Sequence, residues 1–175
     1  MLGYVFFHRP GPQAGTIAYE AALRSFHASL KKDPPLGFLG SGSYRIGGGY
    51  ADWYMVADSA ALDPLNEAAV GDRARSSHDM VAGMSTDGAG KLFTLVSGEP
   101  RTESGFETRF SKPGGMTYGE LYERLRDITA RPDVSLWRRM MVLGPAPEFC
   151  LTSRSELDLP ADMNPETIPR EVVQA

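Results

Sequence analysis

Aromatic and β-branched residues crowd positions 2 to 9, and Pro10-Gly11-Pro12 ends the run, so a strand is predicted there. Ala18, Ala22, Phe26 and Leu30, flanked by Tyr19 and Leu23, then recur at helical spacing through about residue 31. Thr16 is placed to cap this helix, and Lys31, Lys32 and the Asp33-Pro34-Pro35 break mark its end. Residues 36 to 58 read as two strands about Gly47-Gly48-Gly49, the second from Asp52 to Ala57 and the first bent by Gly37, Gly40 and Gly42. Asp63-Pro64 opens a helical tract that reaches about Met84, with an interruption near Gly71. Ser85 to Gly88 reads as loop, and residues 91 to 97 as a compact strand.

The opening is then written a second time. Phe7-His8-Arg9-Pro10-Gly11 is echoed by Phe110-Ser111-Lys112-Pro113-Gly114, and each is followed at the same offset by a helix with Tyr-Glu, at Tyr19-Glu20 and Tyr122-Glu123. A strand is predicted over 106 to 112, and Thr117-Tyr118-Gly119-Glu120 is a capping-box pattern opening a helix to about Thr129. Strands at 134 to 143 and 148 to 154 are joined by Gly144-Pro145-Ala146-Pro147. Beyond Ser153 no final strand is legible, and the tail from Pro160 reads as extended or ordered only by docking. The order strand, helix, two strands, helix, strand is that of the ferredoxin-like unit. The expected fold is α+β: two tandem ferredoxin-like units with antiparallel sheets packed as a pseudo-dimeric α/β barrel. Residues 1–101 form the first unit, 102–160 a truncated second unit, and 161–175 an extended C-terminal tail.

A lone unit of this kind leaves one sheet face uncovered, and two units can close those faces on each other. Alternation sets Val5, Phe7 and Arg9 on one face of the first strand and Tyr4, Phe6 and His8 on the other. Aligning Phe7 with Phe110 puts Phe106, Thr108 and Phe110 on the helix side and leaves Glu107, Arg109, Ser111 and His8 between the sheets. Buried charges must be paired or solvated, so their convergence predicts a lined cavity. A slip of one residue in that alignment, or a solvent-exposed edge at Glu107 and Arg109, stays open as the alternative.

A net charge of −4 over 175 residues offers no basic field for nucleic acid. The lone Cys150 cannot form an internal disulfide, no signal peptide is legible, and no apolar run approaches the roughly 18 residues of a membrane span. A cytoplasmic protein without a membrane partner is expected. Three histidines and one cysteine without ligand spacing predict no metal. Gly83 to Lys91 resembles a phosphate loop, but Ser85 stands where its first glycine belongs. No G-x-S-x-G is present, and Cys150 has no local activating pattern.

His78-Asp79 and His8 are the candidates for acid/base work, since imidazole titrates near neutral pH. His27 reads as structural or exposed. Tyr44, Trp53, Tyr54, Trp137 and Arg138, with Arg45 and Arg139, could line a ligand cavity beside Glu107 and Arg109. Arg138 and Arg139 point to opposite faces, so at most one serves the interior.

In element order and in the paired strand-Pro-Gly-helix starts, residues 2 to 154 resemble the dimeric α/β-barrel superfamily, which includes antibiotic-biosynthesis monooxygenase-like enzymes. The resemblance implies a pocket for an aromatic or polyketide-like molecule and proton-transfer chemistry of a cofactor-free oxygenase, cyclase or isomerase kind. His78 or His8 would move the proton, and Arg109 or Arg138 would steady an oxyanion. The alternatives are a haem-binding member of the superfamily with a histidine axial ligand, and a non-catalytic ligand-binding or assembly protein. A homodimer is compatible with each.

Overall fold

The first half runs strand β1 (Leu2–Pro10), helix α1 (Thr16–Lys32), a hairpin of β2 (Phe38–Ile46) and β3 (Gly49–Val56), helices α2 (Leu62–Val70) and α3 (Arg75–Met84), and β4 (Ser85–Ser97). The second runs β5 (Phe106–Phe110), short helices α4 (Tyr118–Arg124) and α5 (Arg126–Thr129), β6 (Ser135–Arg139), β7 (Phe149–Ser153), β8 (Glu166–Pro169) and β9 (Glu171–Gln174). This computed structural model describes residues 1–70, 75–101 and 103–175. The interruption expected near Gly71 lies outside the described residues.

All nine strands belong to one antiparallel sheet, in the order β8-β5-β7-β6-β4-β1-β3-β2-β9. Its two end strands are neighbours in sequence, separated only by Arg170. β8 pairs with β5, Thr167 opposite Thr108, and β9 pairs with β2, Val172 opposite Tyr44. A sheet whose first and last strands are one continuous segment curls so that its ends meet along the chain, and that segment covers the edges of both β5 and β2. The tail expected to be merely extended is therefore the piece that completes the sheet. Its short strands, split by Arg170 and flanked by Pro165 and Pro169, are too brief to show a period.

Packing divides into three cores. Val5, Tyr44, Ala51, Trp53, Met55, Phe93, Trp137 and Cys150 come from strands alone and fill the interior of the sheet. Tyr19, Leu23, Phe26 and Leu30 of α1, with Leu65 and Val81, cover the outer face of β1, β3 and β4. Leu121 and Leu125 cover the outer face of the second half, against Phe110, Leu136, Phe149 and Leu151.

These cores correct one expectation. Glu107 and Arg109 face the interior as expected, but His8 does not join them; it lies under α1 against Tyr19. Phe7 is the residue that shares the interior with Arg109, whose guanidinium lies 4.7 Å from its ring. The faces of the two opening strands therefore match only after a shift of one residue from the Phe7 to Phe110 alignment, and one step reverses every side chain.

Local differences have local causes. Thr16 is the first helical residue, and Gly15 occupies the cap in extended conformation without a side-chain bond. Ser85 to Gly88, expected as loop, is strand, because β1 reaches Pro10 and supplies partners as far as Ser85. The second-half helix carries the expected capping box between Thr117 and Glu120 but breaks at Leu125. Deletion of residues 166–175 should lower the melting temperature by about 10 °C or more and give aggregates on size-exclusion chromatography, since it bares two sheet edges at once.

Candidate functional site

The outer face of β1, β3 and β4 presents Tyr4, Phe6, Asp52, Tyr54 and Leu92 towards the helices. In β4, two glycines make the surface low. A Cβ on Gly88 would sit 2.8 Å from the Phe6 ring, and one on Gly90 would sit 2.8 Å from the Tyr4 hydroxyl. The two rings thus lie across the bare backbone of β4 rather than standing up from it. Between this floor and α1, α2 and α3 is a cavity of about 750 Å³, largely apolar, closed on one side by Leu143 and Gly144 of the loop after β6.

Its polar groups converge on one carboxylate. Asp52 is the single charged residue of β3, and it is 2% exposed. The His8 Nε2 atom lies 3.1 Å from its Oδ2, the His27 Nε2 atom lies 3.5 Å from its Oδ1, and the Tyr54 hydroxyl donates to Oδ2 at 3.4 Å. Both imidazoles are anchored on their far side: His27 Nδ1 to the Ser41 hydroxyl at 2.7 Å, and His8 Nδ1 to the Tyr19 hydroxyl. Tyr19 in turn is 2.8 Å from the Ser85 hydroxyl, which donates to the Val81 carbonyl at 2.7 Å.

A chain of exchangeable protons therefore runs Ser85, Tyr19, His8, Asp52. Ser85 and Asp52 both border the cavity, while Tyr19 and His8 lie behind its wall. With Ser85 donating to Val81, Tyr19 donates to Ser85 and His8 donates through both nitrogens. With the Ser85 hydroxyl turned to Tyr19, Tyr19 donates to a neutral His8. The two orderings differ by one proton on the imidazole.

Burial alone would raise the Asp52 carboxyl, but the His27 and His8 imidazoles outweigh it and hold the group well below the usual carboxylate range. Burial pushes the Tyr19 phenol up to about 12 and the Tyr54 phenol well above its ordinary value, the latter helped by the Asp52 charge. Both phenols are thus donors at neutral pH.

The candidates named from sequence fall in five places. Tyr54 and His78 border the cavity, and the His78 ring packs edge-on against Phe26 with centroids 5.6 Å apart. His8 reaches the cavity only through its neighbours, and the Asp79 side chain, 61% exposed, lies 3.5 Å from His78 Nδ1 on the solvent side. Tyr44, Trp53, Trp137, Glu107 and Arg109 are in the sheet interior. Arg138 lies over the Tyr118 ring of α4, on the outer face of the second half, far from any of these.

Asp52, Tyr19, Ser85 and His27 were not singled out as a group from the sequence. One signal was available for Asp52: a lone carboxylate inside the apolar run Ala51 to Val56 must be paired when the strand is buried. His27, expected to be structural or exposed, is 2% exposed and turned to Asp52. Among the described residues no group of three His, Cys, Asp or Glu is arranged to hold a metal ion, and no helix is long and apolar enough to cross a membrane.

The fold has solved relatives. A candidate monooxygenase from Lactobacillus acidophilus NCFM superposes with a TM-score of 0.63 at 9% identity, covering 99% of this chain and 94% of that one. An anthrone oxidase-like protein gives 0.60 at 8% identity over 98% and 90%. A candidate chlorite dismutase gives 0.57 at 12% identity over 99% and 96%. At identities this low the likeness is one of fold. No protein-family model matches the sequence, and no curated protein is similar to it in sequence.

Asp52 makes a prediction about acid stability. Its folded carboxyl titrates below its unfolded value of about 3.9, so its contribution is fully present above about pH 4 and is lost as pH falls through the folded value. Asp52→Asn should cost about 1–3 kcal/mol near neutral pH, by replacing the buried acceptor that both imidazoles and the Tyr54 hydroxyl face. It should also flatten the acid limb of stability, and urea midpoints measured between about pH 3 and 7 check both effects.

Proposed function

We propose that the chain is a small-molecule enzyme of two ferredoxin-like halves, acting on an aromatic or polyketide-like compound in the cavity under α1, α2 and α3. The observation that carries this reading is the cavity wall: an apolar space of about 750 Å³ bordered at two points by the ends of one buried proton chain. A pocket of that size and lining suits a flat organic molecule of several rings. Tyr4, Phe6, Phe26 and Tyr54 give it aromatic faces to lie against.

The chemistry follows from placement. His78, the described histidine at the cavity surface itself, takes a proton from an acidic C–H or O–H of the ligand. The electron pair left behind is delocalised onto a ligand oxygen, which the Asn66 amide on the cavity wall steadies by donation, joined by the Tyr54 hydroxyl once its proton turns from Asp52 Oδ2 to that oxygen. The Ser85-Tyr19-His8-Asp52 chain carries a proton between two separated points of the cavity, as an isomerisation or cyclisation requires. With dioxygen as co-reactant, the same carbanion is oxidised instead. For an anthrone, the ring methylene becomes a carbonyl and one water leaves.

A haem-binding reading narrows to His78, because both nitrogens of His8 and of His27 face partners. Among the described lining residues the only cation is Lys91, and its ammonium lies on the interior side over Phe93, donating to the Pro147 carbonyl. The described wall therefore offers no cation for haem propionates, and its residues do not fit that group. Titration with haemin should give no Soret shift that His78→Ala abolishes.

Anthrone is the first substrate to try, with oxygen uptake and absorbance as readouts. His78→Ala should lower kcat by about 10²-fold. Tyr54→Phe should lower it by about tenfold, while Arg138→Gln leaves it unchanged. Failure of anthrone and related tricyclic phenols to bind overturns the reading, as does turnover unaffected by His78→Ala and Asp52→Asn together. Binding without turnover would assign the chain to the non-catalytic class.

A further inference from the structure

The sheet interior holds more positive charge than its carboxylate balances. Lys91, 3% exposed, places its ammonium 4.8 Å from the Phe93 ring and donates to the Pro147 carbonyl at 2.5 Å. Arg109 donates from Nε to Glu107 Oε1 at 2.6 Å, and its buried Nη2 has no partner among the described residues. Arg170, 6% exposed, lies 3.5 Å over the Tyr44 ring, and its Nε and Nη1 are likewise buried without partners. Opposed to these three inside the sheet is Glu107, fully buried, with Oε2 unpartnered, while the exposed Glu166, opposite Arg109 on β8, acts on that guanidinium from outside.

The four interior groups lie near enough to the buried Cys150 thiol to act on it electrostatically. Burial raises that thiol well above its ordinary value, so it adds no negative charge. Burial also pulls the Lys91 ammonium down to about 8, as expected for a cation with too little counter-charge. Desolvated cations left this way are costly unless an anion completes them.

A route to Lys91 and Arg109 exists. A second cavity, of about 520 Å³, opens at the end of the barrel; Phe7, Ile46, Ala89, Lys91 and Arg109 line it, and the exposed Arg9 and Asp87, of opposite charge, are also on its wall. Lys91 and Arg109 face it from β4 and β5, across the sheet from the aromatic cavity.

We propose that this barrel-end cavity is a binding site for a small carboxylate or oxyanion, held between the Lys91 ammonium and the free Nη2 edge of Arg109. One oxygen accepts from the ammonium, which keeps donors beyond the one given to Pro147, and a second accepts from the guanidinium. The Phe7, Ile46 and Ala89 walls confine the ligand to a compact body. The site's ligand contacts use none of the residues given a role in the aromatic cavity, although Lys91 borders both cavities and His8 of the buried proton chain borders this one.

The test is thermal melting of the full chain in rising inorganic phosphate or formate, against sodium chloride at matched ionic strength. At least one of the two should raise the melting temperature saturably, and chloride should not. Lys91→Met, which keeps a flexible apolar stem beside Phe93, should weaken the midpoint concentration by about tenfold. Arg154→Gln, at an exposed arginine paired with Glu103, should leave it unchanged. Should Lys91→Met fail to fold, phosphorus NMR of the unaltered protein replaces it: the phosphate line should broaden and be restored by formate. No saturable rise above the chloride control overturns the proposal. So does a rise that Lys91→Met retains at the same midpoint, or a phosphate line the protein leaves sharp.

Discussion

Everything in this architecture depends on one stretch of backbone pairing, in which residues 166 to 174 join the two ends of the sheet. Without it the sheet would have free edges at β5 and β2, and its interior would open to water between them. Closure is what lets one face of every strand be buried away from the helices, so that the chain carries a strand-only core of aromatic side chains in addition to its two helix-covered layers. It also delivers Arg170 into that core, since the residue joining β8 to β9 lies over Tyr44 and near Trp53.

Closure also separates the polar chemistry into two compartments. Residues of one alternation, Asp52, His8 and Tyr54, stand under the helices, while those of the other, Lys91, Glu107 and Arg109, stand inside. A strand cannot contribute one side chain to both faces, so the carboxylate network and the cation cluster cannot merge. The sequence presents both as a scatter of charges on strands, and only the direction of each residue sorts them.

Much of this was legible before the structure. The period of 18, 22, 26 and 30 located α1, the glycine triplet located the β2–β3 hairpin, and the capping box at Thr117 located α4. Glu107 and Arg109 were rightly turned inward. What escaped had physical causes. The closing strands are four residues each and split by Arg170, too short for a pattern to emerge. Residues 85 to 88 read as loop and the strand reads as starting only at 91, because Gly88 and Gly90 pack nothing of their own; Phe6 and Tyr4 lie on them, a tertiary reason invisible to local propensity. His8 was assigned to the wrong side because a repeat between distant halves carries an uncertainty of one residue, and in strands that is a change of face. The Asp52 network escaped because its members come from α1, β1, β2, β3 and β4, joined by no spacing along the chain.

The two helix-covered layers are unequally filled. Beneath α4 and α5, Phe110, Leu121, Leu125, Phe149 and Leu151 are all fully enclosed, whereas beneath α1, α2 and α3 the floor is lowered by glycines and a large space is kept. Empty apolar volume weakens a fold in proportion to its size. A guest molecule would find its berth beneath α1, α2 and α3, where bare glycine backbone keeps the floor low.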